Sequence, residues 1–223
     1  MQPAQVGDAS FLSSSFVVSV FEVGRLTDLR ALRRALRAGR RELDDAQRGR
    51  CSRQAARHMA AHPCFLAARH VACYLACDGE LNLHPLMERA WAMGKTVYLP
   101  VLGSIHRNHL QFLPYRRGDA LVPNRFGIPE PVVDSRGFLS ARRLDLVLMP
   151  LVGFDGHGNR LGMGGGFYDR SFAFLRGRRQ WRKPRLIGVG FDLQQCSSLP
   201  RQPWDVPLDG VVTESGVRRF SVS

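Results

Sequence analysis

The alternation of apolar and polar positions divides the chain into a helical beginning and a strand-rich remainder. Leu29, Leu32, Leu36 and Leu43 recur at spacings of three, four and seven, the single stripe of an amphipathic helix. Thr27 is placed to cap that helix, and Arg30, Arg33, Arg34, Arg37, Arg40 and Arg41 occupy the rest of its surface. Asp44 and Asp45 open a second helical stretch over 46–60. From His70 the pattern changes to short apolar runs. Residues 71–75 and 96–100 read as buried strands. Between them Leu86, Ala90 and Trp91 mark the inner face of a helix over 81–93, with Gly94 as its stop. Strand, helix and strand at this spacing form a βαβ unit. Residues 109–113 predict an edge strand, and 114–140 a long connection rich in turn formers. Residues 145–152 are the most strand-like run of all. A glycine-rich loop, a helix from Phe167, a strand over 186–191 and a short last strand over 208–212 follow. This order predicts an α/β fold with three layers, α/β/α, around a central mixed, mostly parallel sheet.

Composition adds bounds. The 223 residues are 44% hydrophobic and 23% charged, ordinary globular values that suit one domain over 25–223. Residues 1–24 read as a loosely ordered extension. Their apolar stretch, Phe16 to Phe21, is short and has no Lys or Arg before it, so the basic start of a secretory signal is missing. No apolar run reaches the roughly 18–20 residues that a membrane-spanning helix needs. The five cysteines show no paired framework or zinc spacing, which suits a reduced, cytoplasmic chain. Net charge is the unusual quantity: 32 basic residues against 19 acidic ones give +13. Lys95 and Lys183 are the only lysines, leaving 30 arginines. Arginine grips phosphate and carboxylate bidentately, so the partners in view are a nucleic acid or an anionic small molecule.

Residues 154–170 carry the chemistry. They read Phe-Asp-Gly-His-Gly-Asn-Arg-Leu-Gly-Met-Gly-Gly-Gly-Phe-Tyr-Asp-Arg, directly beyond a central strand, where open α/β sheets bind ligands. Gly162, Gly164, Gly165 and Gly166 permit close backbone approach, so that successive N–H groups can face a phosphate at the start of the next helix. The segment has no Gly-Lys-Ser/Thr and does not fit the dinucleotide spacing. Asp155 and Asp169 bracket it, with Arg160 and Arg170 at the same ends. Carboxylates for a cation and guanidiniums for non-bridging oxygens suit a Mg²⁺-bound polyphosphate.

Asp155-x-x-Gly158-x-Arg160-Leu161-Gly162-x-Gly164-x-Gly166-x-Tyr168-Asp169-Arg170 resembles the signature of the 5-formyltetrahydrofolate cyclo-ligases, also called methenyltetrahydrofolate synthetases. The likeness runs over most of residues 26–214. It includes Leu32-Arg33-x-x-Leu36-Arg37, Tyr74 with Glu80, Gly94-Lys95, Leu99-Pro100, Gly127-Ile128-Pro129-Glu130-Pro131, Phe191-x-x-Gln194, Asp205-x-Pro207-Leu208-Asp209 and Thr213-Glu214, all in the family's order. The resemblance implies an architecture similar to the NagB/RpiA/CoA-transferase-like folds. It also implies an ATP- and Mg²⁺-dependent closure of 5-formyltetrahydrofolate to 5,10-methenyltetrahydrofolate, with ADP and phosphate released. In that chemistry the formyl oxygen takes the γ-phosphoryl group, N10 attacks the activated carbon, and phosphate leaves. The protein's share is positioning and charge stabilisation.

The resemblance assigns roles residue by residue. Residues Leu161, Gly162, Met163, Gly164, Gly165 and Gly166 would wrap the ATP phosphates, with Arg160 and Arg170 beside them and Arg160 near the β- and γ-phosphates. Asp155 and Asp169 would hold Mg²⁺, or else anchor a neighbouring arginine. Tyr168 would pack against substrate or base, or serve the core. Glu80 would accept the N–H groups of the reduced pterin; Arg160, Asp169 and Glu80 are the catalytic candidates. Tyr74 reads as core or as a substrate contact, and Glu130 as a wall of the folate pocket. The family's first helix carries a lysine that reaches ATP. Here Arg30 is its expected substitute, with Arg34 beside it. The anionic folate tail, polyglutamylated or not, suits the net charge, and the basic run over 176–185 is a candidate to attract it. A monomer without nucleic-acid or membrane partners is expected. Three alternatives stand against this reading: a non-catalytic folate- or nucleotide-binding relative, a different ATP-using enzyme on the same scaffold, and a nucleic-acid-binding module built on the basic first helices.

Overall fold

A computed structural model describes residues 28–102, 109–124, 127–132, 137–176 and 183–220. The leading 24 residues and most of the basic run over 176–185 lie outside these. The first helix, α1 (Leu29–Glu42), is capped by Asp28, whose carboxylate accepts the Arg30 amide at 2.9 Å. The cap therefore lies one residue beyond the expected Thr27, since an aspartate is the better acceptor at a helix start. Helix α2 (Asp45–Ala61) begins with a reciprocal capping box in which Asp44 and Gln47 serve each other's backbone at 2.6 and 2.8 Å.

Short α3 (Pro63–Ala67) leads into β1 (His70–Ala72), then α4 (His84–Ala92) and β2 (Thr96–Leu102), the expected βαβ unit with β1 and β2 parallel. Gly94, at φ +69°, ends the helix in the left-handed region as its position suggested. The antiparallel edge strand β3 (Leu110–Tyr115) comes next. The connection after it is not structureless. It contains a ribbon, β4 (Leu121–Pro123) against β5 (Pro129–Pro131). Strand β6 (Leu146–Pro150) follows, then a small hairpin of β7 (Gly153–Phe154) and β8 (Arg160–Leu161), then α5 (Phe167–Ser171). Strands β9 (Arg185–Val189), β10 (Gly210–Thr213) and β11 (Gly216–Arg219) complete the order.

The main sheet runs β11-β10-β9-β6-β1-β2-β3. Its five inner strands are parallel, and antiparallel strands close both edges. The expected mixed, mostly parallel sheet is observed; β11 is an addition, because 208–212 is not the last strand. Side chains alternate cleanly between faces. Val71, Val97, Leu99, Leu146, Leu148 and Ile187 pack toward α2, α3 and α4. Ala72, Tyr98, Val147, Met149, Leu186 and Val211 face Phe172, Leu175 and Leu208. The second face is covered by the five-residue α5, a 3₁₀ turn and coil rather than by long helices. Helix α1 uses its stripe differently. Leu36, with Leu29 and Leu32, packs on Val152, Leu161 and Leu199, which holds α1 over the carboxyl end of β6, against the glycine-rich segment.

Candidate active site

The glycine-rich segment is a hairpin before it is a loop. Asp155 makes the turn between β7 and β8, and its side chain is wholly buried. One carboxylate oxygen accepts the amides of His157 and Asn159 at 2.9 and 3.0 Å; the other accepts Asn159 Nδ2 at 2.8 Å and the Leu199 amide at 3.0 Å. Four donors occupy the roughly four lone-pair positions of a carboxylate. Asp155 is thus an anchor that ties the hairpin to the segment around Leu199, not an open cation ligand. This differs from both expected roles, since its partners among the described residues include no arginine.

Asp169, in α5, is placed differently. Its Oδ1 accepts Arg160 Nη2 at 2.6 Å and the Val206 amide at 3.1 Å. The second bond sets Asp205, a residue given no role from the sequence, one position away from this carboxylate. The only signal for it was its place in the Asp-x-Pro-Leu-Asp string. The Arg160 side chain is 7% exposed, and its guanidinium lies 6.0 Å from the Tyr168 ring centroid. Its Nε is buried and has no hydrogen-bond partner among the described residues. An orphaned donor on a buried cation is costly, and an anion supplied from outside the chain relieves it.

Beyond β8, Gly164 and Gly166 take φ of +96° and +63°. Among the described residues, the amides of residues 162–166 donate to no protein acceptor. These five N–H groups are the ones expected to face a phosphate. The helix behind them, α5, has only five residues. Arg170 folds back: Nη2 donates to the Gly165 carbonyl at 2.6 Å, and its guanidinium lies over Phe167. It braces the loop from behind.

The first-helix arginine that meets the glycine-rich loop is Arg33; the two expected to reach ATP do not hydrogen-bond to that loop. Arg30 and Arg34 are exposed, and their side chains make no hydrogen bond or ion pair among the described residues. Arg33 instead donates from Nε to the Gly162 carbonyl at 2.8 Å and lies beside Gly164. Leu29, Leu32 and Leu36 turn inward, and Arg33 follows Leu32 on the flank that meets the loop. The apolar stripe itself could have selected it.

Glu80 sits in the turn after β1. Asp78 and Gly79 both have positive φ, +51° and +75°, and this tight reversal brings the Glu80 carboxylate back to the Cys77 amide at 3.2 Å. Burial raises the Glu80 carboxyl above its ordinary range, and the Arg40 charge opposes that. Burial likewise raises the Tyr168 hydroxyl, with the Glu80 charge acting in the same sense. Arg160 thus pairs with Asp169 and lies near the Tyr168 ring, and the Glu80 charge is felt at Tyr168. A cleft of about 510 Å³, lined by Arg48, Ser52, Cys77, Glu80 and Asn82 among others, opens on the α2 side of Glu80. Two candidates are taken up by the scaffold. The Tyr74 hydroxyl donates to the Leu81 carbonyl at 2.8 Å inside the core. Glu130 accepts the Leu102 amide at 2.9 Å and Asn124 Nδ2 at 2.8 Å, so it fastens the β4–β5 ribbon to the end of β2.

A mostly parallel sheet with a donor-rich loop beyond its central strand, a buried arginine and an adjacent carboxylate has the layout of the α/β proteins that bind ligands at the carboxyl ends of their strands. The profile of the 5-formyltetrahydrofolate cyclo-ligase family matches residues 26–214, and the chain belongs to that family. It is 44% identical over 184 residues to the 5-formyltetrahydrofolate cyclo-ligase of Escherichia coli K12, covering 82% of this chain and 98% of that protein. Identity to the Haemophilus influenzae cyclo-ligase is 41% over 143 residues, 63% of this chain and 73% of the other. The solved structure of Aquifex aeolicus 5,10-methenyltetrahydrofolate synthetase superposes with a TM-score of 0.72 at 30% identity, covering 87% of this chain and 94% of that one.

Proposed function

We propose that the protein closes 5-formyltetrahydrofolate to 5,10-methenyltetrahydrofolate at the expense of ATP, the activity for which its family is named. The observation that carries this at the level of the site is the unpartnered Nε of buried Arg160, beside five uncommitted loop amides and Arg33. A triphosphate supplies the acceptors that these donors lack. Arg160 and Arg33 then flank the phosphoryl group being transferred, where charge stabilisation is worth most because water is excluded.

The residues present also fit a Mg²⁺ ion that neutralises phosphate oxygens. Asp169 is the carboxylate for it, and Asp205 replaces Asp155 as the second candidate, because Val206 docks on Asp169 while Asp155 is saturated. Asp169 has a second duty, since it holds Arg160 through Nη2 and so aims the orphaned Nε. Glu80 receives the N–H groups of the reduced pterin across from Tyr168. The formyl oxygen and N10 need no protein nucleophile, which agrees with a site made of arginines, carboxylates and backbone donors. We assign the enzyme to the cytoplasm as a monomer acting on a reduced folate, polyglutamylated or not, with neither nucleic acid nor membrane as partner.

The test is near-ultraviolet absorbance of the methenyl product on mixing the protein with 5-formyltetrahydrofolate and Mg-ATP. An ATP-dependent rise that Asp169→Ala abolishes is expected. A flat trace from folded protein that still binds ATP would overturn the assignment.

A further inference from the structure

Arg40 lies outside every role given so far, yet it is the most deeply buried cation in the described residues, at 1% exposure. It occupies the slot between Leu36 and Leu43 on the inward stripe of α1, where a leucine would continue the pattern. Its guanidinium is spent on the turn that carries Glu80. Nε donates to the Asp78 carbonyl at 2.8 Å, Nη2 pairs with Asp78 Oδ2 at 2.8 Å, and Nη1 reaches the Leu151 carbonyl at 3.4 Å. The same Nη1 lies 3.8 Å from Glu80 Oε1. Arg37 and Arg41 add two more cations to Asp78, so that residue is more than neutralised. Gly79 packs directly on the Arg40 side chain and backbone.

We propose that Arg40 is a positioning residue for Glu80: it fixes the 77–80 turn against the end of β6 and supplies the counter-charge that keeps the Glu80 carboxylate ionised when substrate seals the site. The inference rests on the reading of Glu80 as the pterin acceptor. Its physical basis is that a carboxylate losing water needs either a nearby cation or a proton. Around Glu80, Asp78, Cys77, Tyr74 and Tyr168 are anionic or neutral; Arg40, from α1, is the cation that reaches its carboxylate, at 3.8 Å. Arg48 and Arg53 of α2 line the same cleft, Arg48 being spent on Asp45 and the Leu43 carbonyl, and Arg160 is spent on Asp169. A leucine would satisfy the packing of α1, but it would leave the Asp78 carbonyl and the Glu80 charge without this partner, and the Leu151 carbonyl with Gln194 Nε2 alone.

The experiment measures steady-state kinetics against each substrate, over pH, for wild type, Arg40→Gln, Arg40→Lys and Glu80→Gln. Arg40→Gln is expected to raise the KM for 5-formyltetrahydrofolate by about tenfold or more while the KM for ATP stays within about twofold. In it the folate KM is also expected to climb as pH falls through a range where wild type is flat, because Glu80 then takes up a proton more readily. Arg40→Lys keeps the charge in a similar volume. It is expected to fold and to flatten the pH dependence, with a smaller rise in folate KM, because an ammonium cannot span Asp78 and Leu151 together. Melting curves select the variants that are folded. If Arg40→Lys and any folded Arg40→Gln match wild type in folate KM and pH profile, or lose both substrates equally, the proposal is overturned. An unchanged folate KM in Glu80→Gln would instead overturn the underlying role of Glu80.

Discussion

Three carboxylates show how burial decides function. Asp155 is surrounded by donors it already owns, so Asp155→Ala strands buried amides and is expected to cost at least about 2 kcal/mol in urea unfolding. Asp169→Asn, which keeps an acceptor for Arg160 and the Val206 amide, is expected to keep most of the stability while losing turnover, two results that one pair of melts and one assay separate. Asp78 differs again. Burial by itself would raise its carboxyl, but hydrogen bonds from Arg37 and Arg41 and the charge of Arg40 outweigh it and hold the group at about 2. The folded state therefore keeps Asp78 ionised after the unfolded chain has begun to take up protons. Its contribution is present above the ordinary carboxylate range, near pH 4, and is lost as pH falls toward 2. Asp78→Asn is expected to flatten acid unfolding across that window, as circular dichroism against pH would record. None of this was readable from residue types, since all three sit in sequence beside glycine or arginine and differ only in what folds against them.

Among the elements, α1, α2, α4 and the inner strands were legible because each has its own periodicity, strong enough to survive without context; the five-residue α3 was not. Nor was the β7–β8 hairpin. Two-residue strands carry no alternation, and a glycine-rich string looks the same whether it is paired or open. Which first-helix arginine meets the loop was hidden for a related reason: Arg30, Arg33 and Arg34 are equivalent as charges, and only the orientation of α1 distinguishes them. That orientation gives a direct comparison. Arg33→Ala is expected to weaken ATP binding by about tenfold, against less than about twofold for Arg30→Ala, by isothermal titration with Mg-ATP. At the loop's far end, Gly166 combines φ of +63° with Arg170 Nη1 only 2.8 Å from where a Cβ would stand. Gly166→Ala is expected to cost about 1 kcal/mol or more of stability and to lower ATP affinity, since the new methyl group pushes Arg170 off the Gly165 carbonyl.

At the scale of the molecule, a net charge of +13 first pointed as readily to nucleic acid as to a small anion. The structure resolves how part of that charge is used. Arg37, Arg40 and Arg41 are committed to Asp78 and Arg160 to Asp169, while Arg33 is turned to the loop. The excess outside such contacts is still a field that draws anions toward the protein, so the KM for ATP is expected to rise with ionic strength at low salt and to level off once the Debye length is short.

Helix α1 also has a history in time. It is the first described element to leave the ribosome, yet Arg33 meets a carbonyl 129 residues further on and Arg40 one 111 residues further on. A nascent chain must carry this arginine-rich helix, its leucine stripe uncovered, until the β6 and glycine-loop region has emerged. Contacts of such sequence separation are late and slow to form. During synthesis the site thus closes from its earliest-made part onto its latest, and an interrupted chain offers a basic, half-apolar helix with nothing to hold.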